Sequence, residues 1–448
     1  MLFLPRFGRT LLAVLTFALV LSACQTAFGQ TAGEVIISEF RWDGKGVSLF
    51  EQSNNEFIEL YNTTNSDIVV RAVDGSRGWA LAADDAMGTR YVIPNDTIIP
   101  ARGHFLIANA SGYSLSNYPA GAGTFATWDA AYFGDIAVNT GIALFSTANP
   151  QNFNESTRLD AVGTAGNTIL CAGPTVPASS ALYREGTGLP LYPGNRNGET
   201  FEYSFLRKLT SGTPQDTANN ATDFTFIGTL GVYILCATRI DGSRGAPGPE
   251  NTKSPIQRNA TIKASRIDPN CPESGSPTSA CARARTEEVF NPLTASLGTL
   301  RIRRKFTNMT GQPVTRLRFR VVDISTGLEP GAASLHVLSG TGSFNVTDTN
   351  GNTVTIQRLT LEQPPVQHLG DINYFNGALN STLSAGTIAM NTPLLANDSI
   401  NVEFLLGVTF HGNFRFFVNV EALTNPPTNP PAARRPGSMK ASAGRKFE

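Results

Sequence analysis

Charge and histidine are scarce in this chain, and each scarcity removes a class of function. Lysine plus arginine and aspartate plus glutamate each number 35, so the formal charge is zero and no global field draws the protein to nucleic acid or to an anionic membrane. Any electrostatic targeting must come from a local patch. The four histidines, His104, His336, His368 and His411, are scattered, without HExxH or HxH spacing, which removes the common zinc-hydrolase arrangements. GxSxG, P-loop and dinucleotide fingerprints are missing too, so neither standard nucleophilic hydrolysis nor a phosphate cradle is written in the sequence. Long helical periodicity is also lacking: 42 glycines and 27 prolines interrupt most segments before a helix could mature. Short strands and many turns remain, an all-β composition.

The N-terminal residues set the expected compartment. Arg6 and Arg9 precede an apolar run over 11–21, the length of a signal-peptide core and too short for a bilayer span. Residues 1–29 therefore read as a leader and the protein as exported, whether extracellular, periplasmic or on the cell surface. Two processing routes stay open. Leu21-Ser22-Ala23-Cys24 reads as a lipobox that would place a lipid on Cys24, whereas Ala27-Phe28-Gly29 offers soluble release before Gln30. Membrane attachment is expected only through that anchor. Without the leader four cysteines remain, Cys171, Cys236, Cys271 and Cys281, and an even number in an oxidising compartment favours disulfides. Cys271 and Cys281 enclose a Pro, Ser and Gly-rich loop and form the expected local bridge, leaving Cys171 with Cys236 by elimination. A zinc site competes, although no CxxC pair exists.

Alternating strand patterns follow at 34–42, 56–61, 67–73, 79–82, 91–94, 104–108, 141–146 and 159–162. In the first, Val35, Ile37 and Glu39 fall on one face and Ile36, Ser38 and Phe40 on the other, which predicts a partly covered outer face. Val35-Ile36-Ile37-Ser38-Glu39-Phe40, Asn55-Glu56-Phe57-Ile58-Glu59-Leu60-Tyr61-Asn62, Gly78-Trp79 and the stretch from Tyr91-Val92-Ile93-Pro94 to His104-Phe105-Leu106-Ile107-Ala108-Asn109 together resemble the lamin-tail domain. The resemblance continues through Ser204-Phe205-Leu206-Arg207-Lys208, Asp216-Thr217, Asn219-Asn220 and Asp223-Phe224 to about residue 255, with departures over 113–140 and 165–198. It implies an immunoglobulin-like sandwich with an interaction role and no catalytic residues to carry over.

The run over 224–236 is too short to span a membrane and reads as a buried hairpin. From residue 256 the pattern restarts, and strands over 299–306 and 314–322, joined by Gly311-Gln312-Pro313, are predicted to pair as a hairpin. Later strands over 343–347, 353–361, 400–408 and 413–422 complete a second β-sandwich over 256–424. The fold class is thus two immunoglobulin-like sandwiches in tandem. Residues 425–448 are Pro-rich, then basic, and read as a disordered tail.

Two constellations carry chemistry. Glu39, Glu56 and Glu59 could gather on neighbouring strands to hold a cation or act as an acid and base pair, although structural pairing with arginine or a turn is favoured. Arg301, Arg303 and Lys305 share one strand face, and Arg316, Arg318 and Arg320 share one face of the next strand. Such a stripe needs an anionic ligand, such as acidic glycan or a lipid headgroup, or carboxylates such as Glu403 and Glu421 on neighbouring strands. Nucleic acid is disfavoured by the missing aromatic interleaving. No cofactor is expected, and structural calcium at loop carboxylates is the one metal left open. The expected function is a non-enzymatic binding, adhesion or scaffold module for an envelope protein or extracellular polymer, with display on the long loops.

Overall fold

The structure, a computed structural model, describes residues 31–44, 46, 48–117, 119–121, 124–166, 176–192, 202–209, 212–229, 233–235, 238–240, 242–257, 261–327, 330–362 and 376–424. The expected leader with Cys24, the tail over 425–448, Cys171, Cys236 and His368 lie outside them. Among the described residues no helix is long and apolar enough to cross a membrane; the two α-helices, Leu49–Ser53 and Asn220–Asp223, are single turns.

The N-terminal half is a sandwich of a seven-stranded and a four-stranded sheet. The larger runs Ala130–Tyr132, His104–Asn109, Phe57–Asn62, Val35–Arg41, Tyr203–Arg207, Phe224–Gly228 and Ser243–Arg244. The smaller runs Arg158–Val162, Ile142–Phe145, Gly78–Ala83 and Thr89–Pro94. Val35, Ile37, Phe40, Trp42, Trp79 and Leu81 fill the space between them with Tyr203, Phe205 and Phe226. Each buried indole finds an acceptor, Trp42 on Thr140 O at 2.9 Å and Trp79 on Arg71 O at 2.8 Å, as a desolvated N–H requires.

The first strand departs from strict alternation. A bulge between Ile37 and Glu39 inserts one residue, so Val35, Ile37 and Phe40 all face the core while Glu39 turns to the outer face. The segment 224–236 is not a hairpin. Phe224–Gly228 pairs with Tyr203–Arg207 within the large sheet, and Tyr233–Leu235 pairs forward with Thr238–Ile240.

The C-terminal half is a second sandwich. Its larger sheet is built on Thr299–Asn308 and Ser399–Phe410, flanked by Arg283–Thr286 and by the Ser343–Thr347 and Thr353–Arg358 hairpin. Its smaller sheet centres on Val314–Ile324 between Phe416–Thr424 and Thr382–Ser384. The expected hairpin of 299–306 with 314–322 is therefore wrong: the two strands lie in opposite sheets. The reason is their shared amphipathicity. Ile302 and Phe306 bury their surface by facing Leu317, Phe319 and Val321 across the core, with Phe306 and Phe319 rings 4.7 Å apart, instead of lying beside them. Asn308 holds the connection as an arch, its amide donating to Gln312 O and Leu394 O at 2.8 and 2.9 Å, while Gly311 takes the left-handed conformation at φ 74°.

Candidate functional site

Strand parity turns Leu317, Phe319 and Val321 of Val314–Ile324 inward, which sends Arg316, Arg318 and Arg320 to the outer face of the second sandwich. On the large sheet of the first sandwich the bulge turns Glu39 to the outer face, and Glu59 lies across from it in register. These two faces meet. The segment joining the halves runs between them: Gly248 N donates to Glu39 Oε1 at 3.0 Å and Glu250 N to Glu59 Oε2 at 2.6 Å. Thr252 Oγ1 bonds Asp129 at 2.6 Å and Asn251 Nδ2 bonds Thr127 O at 2.8 Å, so this connection is fastened to the first sandwich.

Glu250 then bridges to the arginines. Arg318 contacts both Glu250 and Glu421, and Arg320 reaches Glu250 through Nη2 and Glu421 through Nε, each at 2.8 Å. His104 places Nδ1 2.9 Å from Glu59 and Nε2 3.1 Å from Glu250. Asn380, at φ 65°, donates to Glu39 Oε2 at 3.1 Å and accepts from Arg320 Nη1 at 2.6 Å. Arg318 is 0% exposed and Arg320 4%, and Glu39, Glu59, Glu250 and Glu421 are all buried. Four carboxylates thus face two guanidinium groups and one imidazole. Burial, then the neighbouring Glu59, raises the Glu39 carboxyl to about 7. Burial pushes Glu421 up as well, but Arg318 and Arg320 outweigh it and hold that carboxyl below its usual range.

The other basic row is consumed within its own module. Arg301 and Arg303 pair with Glu403 at 3.1 and 2.8 Å, and Arg303 also donates to Ser279 O and, at 2.7 Å, to Pro277 O, both in the loop closed by Cys271 and Cys281, which are bonded to each other. Lys305 sits half-buried opposite Asn401. Arg316 meets Glu362. Arg301, Arg303, Lys305, Arg316, Arg318 and Arg320 therefore form no continuous ligand face: the two rows lie on different sheets, and Arg303, Arg318 and Arg320 are enclosed by carboxylates and carbonyls.

The expected glutamate cluster also divides. Glu56 is separate from Glu39 and Glu59, fully buried, and accepts from Tyr132 Oη at 2.7 Å, Asn109 Nδ2 at 2.9 Å and Ile136 N at 2.6 Å; burial raises it to about 9. Asp160, Glu185 and Asp216 bring carboxylate oxygens within 4.8 Å of one another, spacing that could suit a cation. Arg207 already occupies the position, donating to both oxygens of Asp160 at 2.7 and 2.9 Å and stacking 4.6 Å over Phe224. Burial, then Asp160, raises Glu185 to about 9, so this group of acids is answered by a guanidinium and a held proton. His336, lowered to about 3 by burial and by Arg244, stays neutral between Arg244 and Asn376 at 2.8 and 2.7 Å.

Glu250, Asn380 and the Arg207 shell were not singled out as a site from the sequence. Their one signal is that buried arginine needs carboxylate partners, and these lie far away in the chain, 68 residues separating Arg318 from Glu250. The family model described as Lamin Tail Domain matches residues 29–165. No curated protein matches the chain. The matched segment ends just after Arg158–Val162, whereas the large sheet is completed by Tyr203–Arg207, Phe224–Gly228 and Ser243–Arg244 beyond it. The matched family consists of non-enzymatic immunoglobulin-like domains, and the first sandwich is similar to them in fold.

Proposed function

We propose that the chain is an exported, non-catalytic adhesion or scaffold protein of the cell envelope or exterior, in which two sandwiches act as one rigid body and loops make the contacts. The observation that carries this reading is the face-to-face ionic lock. It turns inward the charged groups that a hydrolase or a polymer-binding module would present, leaving Glu39, Glu59, Arg318 and Arg320 committed to one another. A locked pair of sandwiches holds its end loops in a fixed relation, which suits recognition of another surface. At one end Met87 and Phe133 are 63% and 75% exposed, and a Cβ added to Gly134 would come within 2.9 Å of the Met87 methyl, so the two apolar side chains lie at one tip. The lamin-tail match supports an interaction role for the module that carries this tip.

The test compares binding of the purified chain to surfaces bearing envelope proteins, heparin or duplex DNA, at low and high salt. Adhesion through apolar loop contacts persists in high salt and falls when Met87→Ser is combined with Phe133→Ser. Binding to heparin or DNA that collapses with salt would refute the reading. So would turnover of ester, phosphoester or glycoside substrates that is lost on Glu56→Gln.

A further inference from the structure

The ionic lock covers only part of the contact between the sandwiches. Past Arg320, strand Val314–Ile324 continues as Val322 and Asp323 through a bulge, and the facing positions of the first sandwich change from Glu39 to Leu206, Thr225 and Lys208. There the two modules bound a cleft of about 280 Å³, near the lower end of small-molecule sites (about 300–1,000 Å³). Leu206, Leu209, Ile324, Leu379 and Phe417 give its walls an apolar stretch, and Thr225, Ser243, Lys208 and Asp323 supply a polar border. They are also fixed. The arginine cluster holds one side, and on the other Ala246 N donates to Leu379 O and Leu379 N to Arg244 O, at 3.2 and 3.1 Å. Packed interiors close gaps of this size, because side chains lining a gap forfeit dispersion contacts; here the walls are braced apart.

Two charges stand at the cleft. The Asp323 carboxylate is engaged by Arg415 Nε at 3.1 Å. Lys208 is half-buried and donates through Nζ to Thr222 O at 2.6 Å, but among the described residues it makes no ion pair. An apolar stretch bordered by an ammonium that makes no ion pair among the described residues is complementary to a molecule with a hydrocarbon body and one anionic end. We infer that this cleft binds an anionic amphiphile, a medium-length acyl chain with a terminal carboxylate, the chain lying along Leu206, Leu379 and Phe417 and the carboxylate accepting from Lys208 Nζ. This site is separate from the loop contacts proposed above and does not depend on them.

Isothermal titration of the full chain with octanoate, decanoate and dodecanoate, kept below micelle formation, tests the inference, with decanol and decylammonium as neutral and cationic controls. Affinity is expected to rise about fourfold per methylene as apolar surface is buried. Decanoate should bind at least about tenfold tighter than decylammonium, and Lys208→Gln should remove about tenfold for decanoate while leaving decanol unchanged. Thr225→Trp, at a position lining the cleft, should block all three acids. Equal binding of decanoate and decylammonium by the unaltered chain would overturn the inference, as would decanoate binding that survives Thr225→Trp or no binding at all. The ligand series needs no variant, so misfolding of a substituted chain cannot rescue the idea.

Discussion

Glu421→Gln is the sharpest probe of the lock. Its carboxylate receives the Nε groups of both Arg318 and Arg320, and all three side chains are buried between the modules. Glutamine keeps the volume and removes the charge, leaving Glu250 to answer two guanidinium groups through its own contacts with each. Removing one partner of a buried ion pair costs about 3–5 kcal/mol, because an uncompensated charge stays in a poorly solvated place. For a chain of this size that is a fall in Tm of roughly 3–6 °C. The assay can separate the halves, since the three tryptophans, Trp42, Trp79 and Trp128, all lie in the first sandwich, whereas Glu421 belongs to the second. Urea unfolding followed by tryptophan fluorescence should therefore shift together with the far-ultraviolet circular dichroism signal. A loss below about 0.5 kcal/mol, the size of an ordinary surface substitution, would refute the burial of this carboxylate. A shift in circular dichroism with an unmoved fluorescence transition would refute the coupling of the two sandwiches.

Other perturbations have equally definite outcomes. Glu39, Glu56 and Glu185 have carboxyls raised to about 7, 9 and 9, so the stability linked to their protons is fully present below the ordinary value of 4.5 and is lost as pH rises through 7 and then 9. Urea midpoints should be higher at mildly acidic than at alkaline pH, and Glu39→Gln should remove about 3 kcal/mol of that slope between the two limits; a midpoint that rises steadily with pH would contradict this. Cys271→Ser with Cys281→Ser opens a loop of sequence separation 10 and should cost about 2–3 kcal/mol on a chain-entropy account, measured by the same unfolding curves with and without reductant. Gly407→Ala places a Cβ 2.0 Å from Thr294 O and should destabilise by more than about 2 kcal/mol, seen as a lowered Tm, because that neighbour is backbone.

Period-two patterning sufficed to identify the extended segments, because alternation fixes which residues can face a core whatever the neighbours are. It failed where the pleat is broken or where two equally amphipathic strands must choose a partner. Ile37, Ser38 and Glu39 read as regular alternation, and nothing local announces the extra residue that turns Glu39 outward. The 299–306 and 314–322 strands carried a turn signal, Gly311 before Pro313, which serves an arch between sheets as well as a hairpin within one. The arginine stripe was visible because its spacing is local. Its environment was legible in part: Glu403 and Glu421 stand on neighbouring strands, within reach of sequence reasoning, whereas Glu250 belongs to the connection between the sandwiches and meets Arg318 and Arg320 only through their contact.

Contact between the sandwiches has a physical consequence for the stripe. Before the sandwiches meet, Arg318 and Arg320 lie on a sheet face where water and Glu421 share the task of compensating them, and Glu39 and Glu59 stand on the facing sheet with His104. Docking desolvates all of these together, so the contact is favourable only in the register that places Glu250 between the two guanidinium groups and lets Asn380 serve both Glu39 and Arg320. A displacement by one residue along the strand would set an arginine against Leu206 and leave a carboxylate unanswered. Apolar pairing at the same place would be comparably stable but tolerant of sliding. The charged interface therefore acts chiefly to select one relative orientation of the modules, and it is this fixed orientation that keeps the apolar walls beyond Arg320 braced apart as a cleft.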